Sequence, residues 1–104
     1  MADFGDAQRR AWANKVAKGF NTTDVPMEFG FLVGEIGEAF SKWRKGSAGL
    51  GGELADVAIF LFGLAQMTGV DLAAEVEVKL AVNEARAYVT LPNGTPVKAG
   101  SEPG

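Results

Sequence analysis

The sequence predicts an all-α protein of four-helix-bundle type, closed by an irregular or small hairpin tail. Three observations carry this. Apolar residues in the second predicted helix recur at steps of four, three, four and three (Phe29, Val33, Ile36, Phe40, Trp43), the rhythm of a bundle seam. Glycines and an "NTTDVP" start signal cut the chain into segments of helical length. The run from Val57 to Ala65 has no polar residue, and a helix that is apolar all round has to be buried on every side.

The first helix is expected from Asp6 to about Lys18, with Trp12, Val16 and Phe20 at near-helical spacing, and Gly19 ends it. Thr or Asp of "NTTDVP" caps the second, with Pro26 in its first turn; it runs to about Lys45 and stops at Gly46. "GSAGLGG" is a flexible link. The third helix starts between Leu50 and Glu53 and ends at Thr68, before Gly69. Asp71 caps a fourth that runs to about Tyr88. In the tail, "PNGT" is a turn signal suited to a hairpin, and "AGSEPG" reads as a loose end. The 104 residues thus read as one domain, helical over about 6–88 with a tail over about 89–104. Three short helices cover the apolar third helix poorly, so a homodimer or larger assembly is expected.

Composition narrows the chemistry. The net charge of −3 argues against non-specific attraction to a nucleic-acid polymer or a membrane. Cysteine and histidine are both absent, which excludes thiolate chemistry, His-based zinc sites and Ser-His-Asp triads. A metal ion would have to be held by oxygen, which points to magnesium, manganese or calcium. "MADFGDAQRR" does not read as a signal peptide, and the Val57–Ala65 run falls short of the ~20 residues of a bilayer span. The expectation is a soluble, cytoplasmic protein.

Two acid pairs stand out. Glu35 and Glu38, in "GEIGEAF", are three apart; so are Glu53 and Asp56, in "GGELADV". Residues i and i+3 share a helix face. A short link makes the second and third helices antiparallel neighbours, and the two pairs then lie toward the same end of that hairpin. Four converging carboxylates repel and lose hydration, and a divalent cation offsets both effects directly. Surface acids on a solvated face are the simpler alternative. On the fourth helix, Lys79, Asn83 and Arg86 step by four and three, presenting an ammonium, an amide and a guanidinium on one face, as a phosphate contact requires. An ordinary exposed face with a Glu75–Lys79 ion pair is the alternative there. In "KWRKG", Lys42 or Lys45 either meets the helix dipole or reaches a phosphate. Trp12 and Trp43 are either core residues or platforms for a base.

Together, "GEIGEAF…GGELADV" and "KLAVNEARAY" resemble the E-x-x-E…E-x-x-D and K-x-x-x-N-x-x-R segments of the MazG-like, all-α nucleoside triphosphate pyrophosphohydrolases. The resemblance covers about residues 8 to 88. It implies that Glu35, Glu38, Glu53 and Asp56 bind Mg2+, with Mn2+ as a substitute, and that Lys79, Asn83 and Arg86 contact a nucleoside triphosphate. It implies an obligate dimer or tetramer, and hydrolysis of an NTP or dNTP to the monophosphate and pyrophosphate in nucleotide clean-up. Many relatives carry a second glutamate just before the first motif acid, where this chain has Gly34. The base is then Glu35 or Glu38, unless hydroxide on the metal suffices. Lys42 and Trp12 complete the candidate substrate contacts. Two other readings compete: a phosphoribosyl-ATP pyrophosphohydrolase of the same superfamily, and a non-catalytic helical oligomerisation or regulatory module. The last predicts that the acid pairs diverge in the folded state.

Overall fold

The structure, a computed structural model, describes residues 3–99, so the end of the expected loose tail lies outside the described residues. Four helices and a two-stranded hairpin follow in order: α1 (Phe4–Ala17), α2 (Val25–Arg44), α3 (Leu50–Met67), α4 (Leu72–Ala85), β1 (Tyr88–Thr90) and β2 (Pro96–Lys98). The architecture is all-α, as the sequence predicts. The chain divides into two compact units, Met1–Ala73 and Ala74–Gly104.

In the first unit the helix ends follow local chemistry. Asp3 caps α1 by accepting a hydrogen bond from the Asp6 N–H, so the helix begins two residues before Asp6. Asp24 caps α2 through the Met27 N–H, with Pro26 in the first turn, where a missing N–H costs nothing. Gly46 takes φ +65°, the left-handed turn that lets the chain wrap back over the end of α2.

α2 and α3 pack against each other, and α1 packs on α3. The edge-to-face rings of Phe4 and Phe62 stand 4.9 Å apart, and the tilted rings of Phe31 and Phe60 6.0 Å apart. Among the described residues the buried apolar side chains are few: Ala39, Phe62, Leu64 and Ala65. The expected seam of α2 is not what its own chain buries. Phe29, Val33, Ile36, Phe40 and Trp43 are all exposed. The face turned inward is Glu28, Leu32, Glu35, Ala39 and Lys42, with Glu28 and Ala39 buried and the others half-buried. It has the same rhythm, displaced by one residue, or about 100° around the helix. On α1 the same correction holds: Gln8 and Lys15 are buried and Trp12 is half-buried, while Val16 and Phe20 are exposed.

Lys15 is buried because it has a partner. Its ammonium donates to Glu28 Oε2 at 2.6 Å, and Glu28 is 0 % exposed. Asn21 Nδ2 donates to the other Glu28 oxygen at 3.2 Å. Gly63 of α3 lies over this pair; a Cβ there would stand 3.2 Å from Glu28 Oε2 and 3.4 Å from Lys15 Cδ. A polar tie thus holds α1 to α2 beneath α3, two helical turns before Glu35.

α3 reaches beyond its uninterrupted apolar run. Over its 18 residues the mean hydropathy is 1.4, enough in length and composition to cross a membrane, a test that the core helix of a globular protein also passes. Leu54, Ile59 and Leu61 remain exposed, so this chain by itself does not bury α3 on every side.

In the second unit α4 ends at Ala85, short of the expected Tyr88. Tyr88 instead opens β1, pairing antiparallel with Lys98, while Val89 faces Val97 and Thr90 faces Pro96. The β-rich run "YVT" followed by a turn outcompetes helix extension. The turn is the expected "PNGT": Gly94, at φ +89°, donates its N–H to the Leu91 carbonyl.

Candidate metal centre

The inward face of α2 and the first turns of α3 bring three of the four motif acids together. Glu35, Glu38 and Glu53 each offer a carboxylate oxygen, all within 4.8 Å of one another. Glu35 and Glu53 are half-buried and Glu38 is exposed. Asp56 is exposed and stands outside this close set, yet its charge still acts on Glu35. Of the four acids singled out in the sequence, the fold brings Glu35, Glu38 and Glu53 together and leaves Asp56 at the margin. Three of the four acids converge, whereas a non-catalytic module predicts that the pairs diverge.

The electrostatics are those of crowded acids. The Glu35 carboxyl is held above its ordinary range, first by partial removal from water, then by the negative charges of Glu38, Asp56 and Glu53, and last by a side-chain hydrogen bond with Glu53. Two carboxyl groups share a hydrogen bond only when one carries a proton. The second Glu53 oxygen, Oε2, is buried with no hydrogen-bond partner. A buried acceptor of this kind is costly to leave unpaired. An orphaned oxygen, a neighbour held toward its protonated form and an all-oxygen donor set fit a hard divalent cation. Glu35, Glu38 and Glu53 would hold it, with Asp56 supplying further charge.

The other candidates are distributed as follows. Lys42, half-buried, lines a cleft of about 200 Å³ with Glu38, Ser41, Lys45 and Ser47, directly beside the acids. Trp12 is half-buried on α1 and does not line that cleft. Trp43 is exposed and stacked on Phe40, with ring centroids 6.1 Å apart. In the second unit, Lys79 and Asn83 lie on α4 and Arg86 just past its end. Arg86 donates to Asn83 Oδ1 at 3.2 Å, so these two side chains are in contact. Gly34, the position at which the family resemblance leads one to expect a glutamate, is exposed, with nothing within 4 Å of the position a side chain would take. The Lys15–Glu28 pair went unanticipated, although Glu28 precedes Glu35 by seven residues and so shares its face.

No family model matches the chain. Two curated relatives do. Over 67 residues, 58% of this chain, it is 45% identical to a dATP/dGTP diphosphohydrolase of Salmonella phage PMBT28. Over 63 residues, 61% of this chain, it is 38% identical to a dATP/dGTP diphosphohydrolase of Cyanophage S-2L. The chain spans 23% of the first relative's length and 57% of the second's. Among solved structures it is similar to the Cyanophage S-2L MazG-like pyrophosphohydrolase bound to dGDP and three catalytic Mn2+ ions per active site, with a TM-score of 0.74 and 27% identity over 97% of both chains. With an all-α fold, a close set of Glu35, Glu38 and Glu53 oxygens and these relatives, the chain is similar in both sequence and fold to the MazG-like pyrophosphohydrolases.

Proposed function

We propose that this chain is a divalent-cation-dependent nucleoside triphosphate pyrophosphohydrolase that converts purine deoxynucleoside triphosphates to monophosphates and pyrophosphate, in clean-up of the nucleotide pool. The observation that carries the reading is the meeting of Glu35, Glu38 and Glu53 oxygens within 4.8 Å beside an orphaned Glu53 oxygen. The purine deoxynucleotide class is supported by the names of the two phage relatives and by the dGDP of the S-2L structure.

Mg2+ or Mn2+, when bound, acidifies water and neutralises phosphate charge. Glu35, Glu38 and Glu53 would hold that cation, with Asp56 adding negative charge, and the cation would offset the repulsion between these acids and the triphosphate. A water oxygen attacks the α-phosphorus. The bond from that phosphorus to the bridging oxygen breaks, and the electron pair leaves on pyrophosphate. Glu35 or Glu38 takes the proton from water, since the position of the relatives' extra glutamate is Gly34. Lys79, Asn83 and Arg86 serve as triphosphate contacts and Trp12 as a contact to the base. We further propose a homodimer or homotetramer, supported by the exposed stripe of Phe29, Val33, Ile36, Phe40 and Trp43.

Pyrophosphate release from the four common dNTPs and from ATP and GTP, with magnesium or manganese, tests the reading. Release from dATP and dGTP, abolished in Glu38→Gln with helical content retained, is the expected result. Unchanged turnover in that variant, or no release from any of these nucleotides, refutes it.

A further inference from the structure

The cleft beside the acids has a composition the acid cluster does not explain. It is lined by Glu38, Ser41, Lys42, Lys45 and Ser47, two lysines and two serines with a single acid. Ordinarily, lysines at a helix C-terminus are there for the free carbonyls. Three of those carbonyls are already served by backbone. The Lys45 N–H donates to Ser41 O, Gly46 N–H to Trp43 O and Ser47 N–H to Lys42 O, at 3.0–3.1 Å. This wrap, made possible by Gly46, is also what brings Ser47 back onto the cleft. Among the described residues, Lys42 and Lys45 form no ion pair. The two lysines therefore line one cleft without being ion-paired to Glu38, its single acid.

At about 200 Å³ the cleft is smaller than the roughly 300–1,000 Å³ that takes a whole drug-sized ligand. A compact polyanion suits it in size and charge. Its one acid, Glu38, belongs to the candidate metal centre, so its negative charge is offset when a cation is bound. We propose that this cleft is the subsite for the β- and γ-phosphates, in which Lys42 and Lys45 hold the pyrophosphate group with the hydroxyls of Ser41 and Ser47 as further donors. The proposal rests on the hydrolase reading above and assigns one part of that site. It orients the triphosphate, since the leaving group is seated at the end of α2 and the α-phosphate faces the acids.

Calorimetric titration with magnesium pyrophosphate, alongside dAMP and dGMP, tests this without turnover. The wild type should bind pyrophosphate, and Lys42→Met/Lys45→Met should bind it about tenfold or more weakly, as loss of charge-assisted contacts predicts. Affinity for the monophosphates, which lack the outer phosphates, should change less than about twofold. Lys18→Met, on an exposed lysine at the end of α1, is the control and should bind as the wild type does. Pyrophosphate affinity unchanged in the double variant, equal weakening for pyrophosphate and monophosphates, or no binding to the wild type overturns the subsite. Should the double variant lose pyrophosphate while the wild type hydrolyses no nucleotide, the subsite stands and the hydrolase reading falls.

Discussion

Lys15→Met removes the cation from a pair in which Glu28 is wholly shielded from water. At 2.6 Å and an effective dielectric near 20, the attraction between the two charges is about 6 kcal/mol before desolvation is counted. Desolvation cancels most of the gain, so the intact pair is worth little in itself. Breaking it is another matter, because the carboxylate stays buried and loses its counter-charge; the usual cost is about 3–5 kcal/mol. Asn21 still donates to Glu28 Oε1, which places the expected loss near the lower end, about 3 kcal/mol. For a chain of this length that lowers Tm by roughly 12–24 °C. Lys15→Met/Glu28→Met, which removes both charges at similar volume, should return to within about 1 kcal/mol of the wild type. Thermal unfolding followed by circular dichroism, at one fixed chain concentration, reads both variants. A single variant within about 1 kcal/mol of wild type, or a double variant no better than the single one, would refute the reasoning.

Three further outcomes are expected. Gly63→Ala gains roughly 1 kcal/mol of helix propensity but pushes a methyl group to 3.2 Å from Glu28 Oε2, and overpacking of about 1–3 kcal/mol makes it destabilising in a urea titration; a more stable variant would show that the pair yields easily. Because Glu35 is raised, this group stabilises the metal-free fold fully below the ordinary carboxylate pKa of 4.5 and stops doing so as pH rises through its folded value. Magnesium binding should accordingly release protons and tighten with rising pH over that window, and calorimetry in buffers of different ionisation heat that finds no proton release would contradict it. Ile36→Glu/Phe40→Glu, on the exposed stripe of α2, should shift sedimentation toward the monomer, whereas an unchanged distribution places the subunit contact elsewhere.

The helix boundaries of the first unit were legible because caps and stops are local chemistry: Asp24, Pro26, Gly46 and Gly69 announce themselves within a few residues. The convergence of Glu35, Glu38 and Glu53 was legible for a similar reason, since two spacings of three and a short link fix it nearly by geometry. The phase of α2 was not. Periodicity finds the most apolar stripe, and on this helix that stripe differs from the one the chain buries, which carries Glu28, Glu35 and Lys42. An inward face made partly of charges looks like a surface until its partners are known. Lys15 and Glu28 are 13 residues apart on different helices, and no local pattern links them. Tyr88 was misassigned because helix four has no strong stop signal of its own; what ends it is pairing with a strand ten residues on.

α3 has a consequence for how the chain is made. To the machinery that sorts newly synthesised proteins, 18 residues at a mean hydropathy of 1.4 look like cargo for a bilayer. Its charged residues are Glu53 and Asp56, both within its first two turns. An acidic group costs up to about 3 kcal/mol at the middle of a lipid span and less near its end. Two of the four motif acids thus also bias the nascent chain away from lipid. A variant stripped of both would carry a third helix with no charge along its whole length.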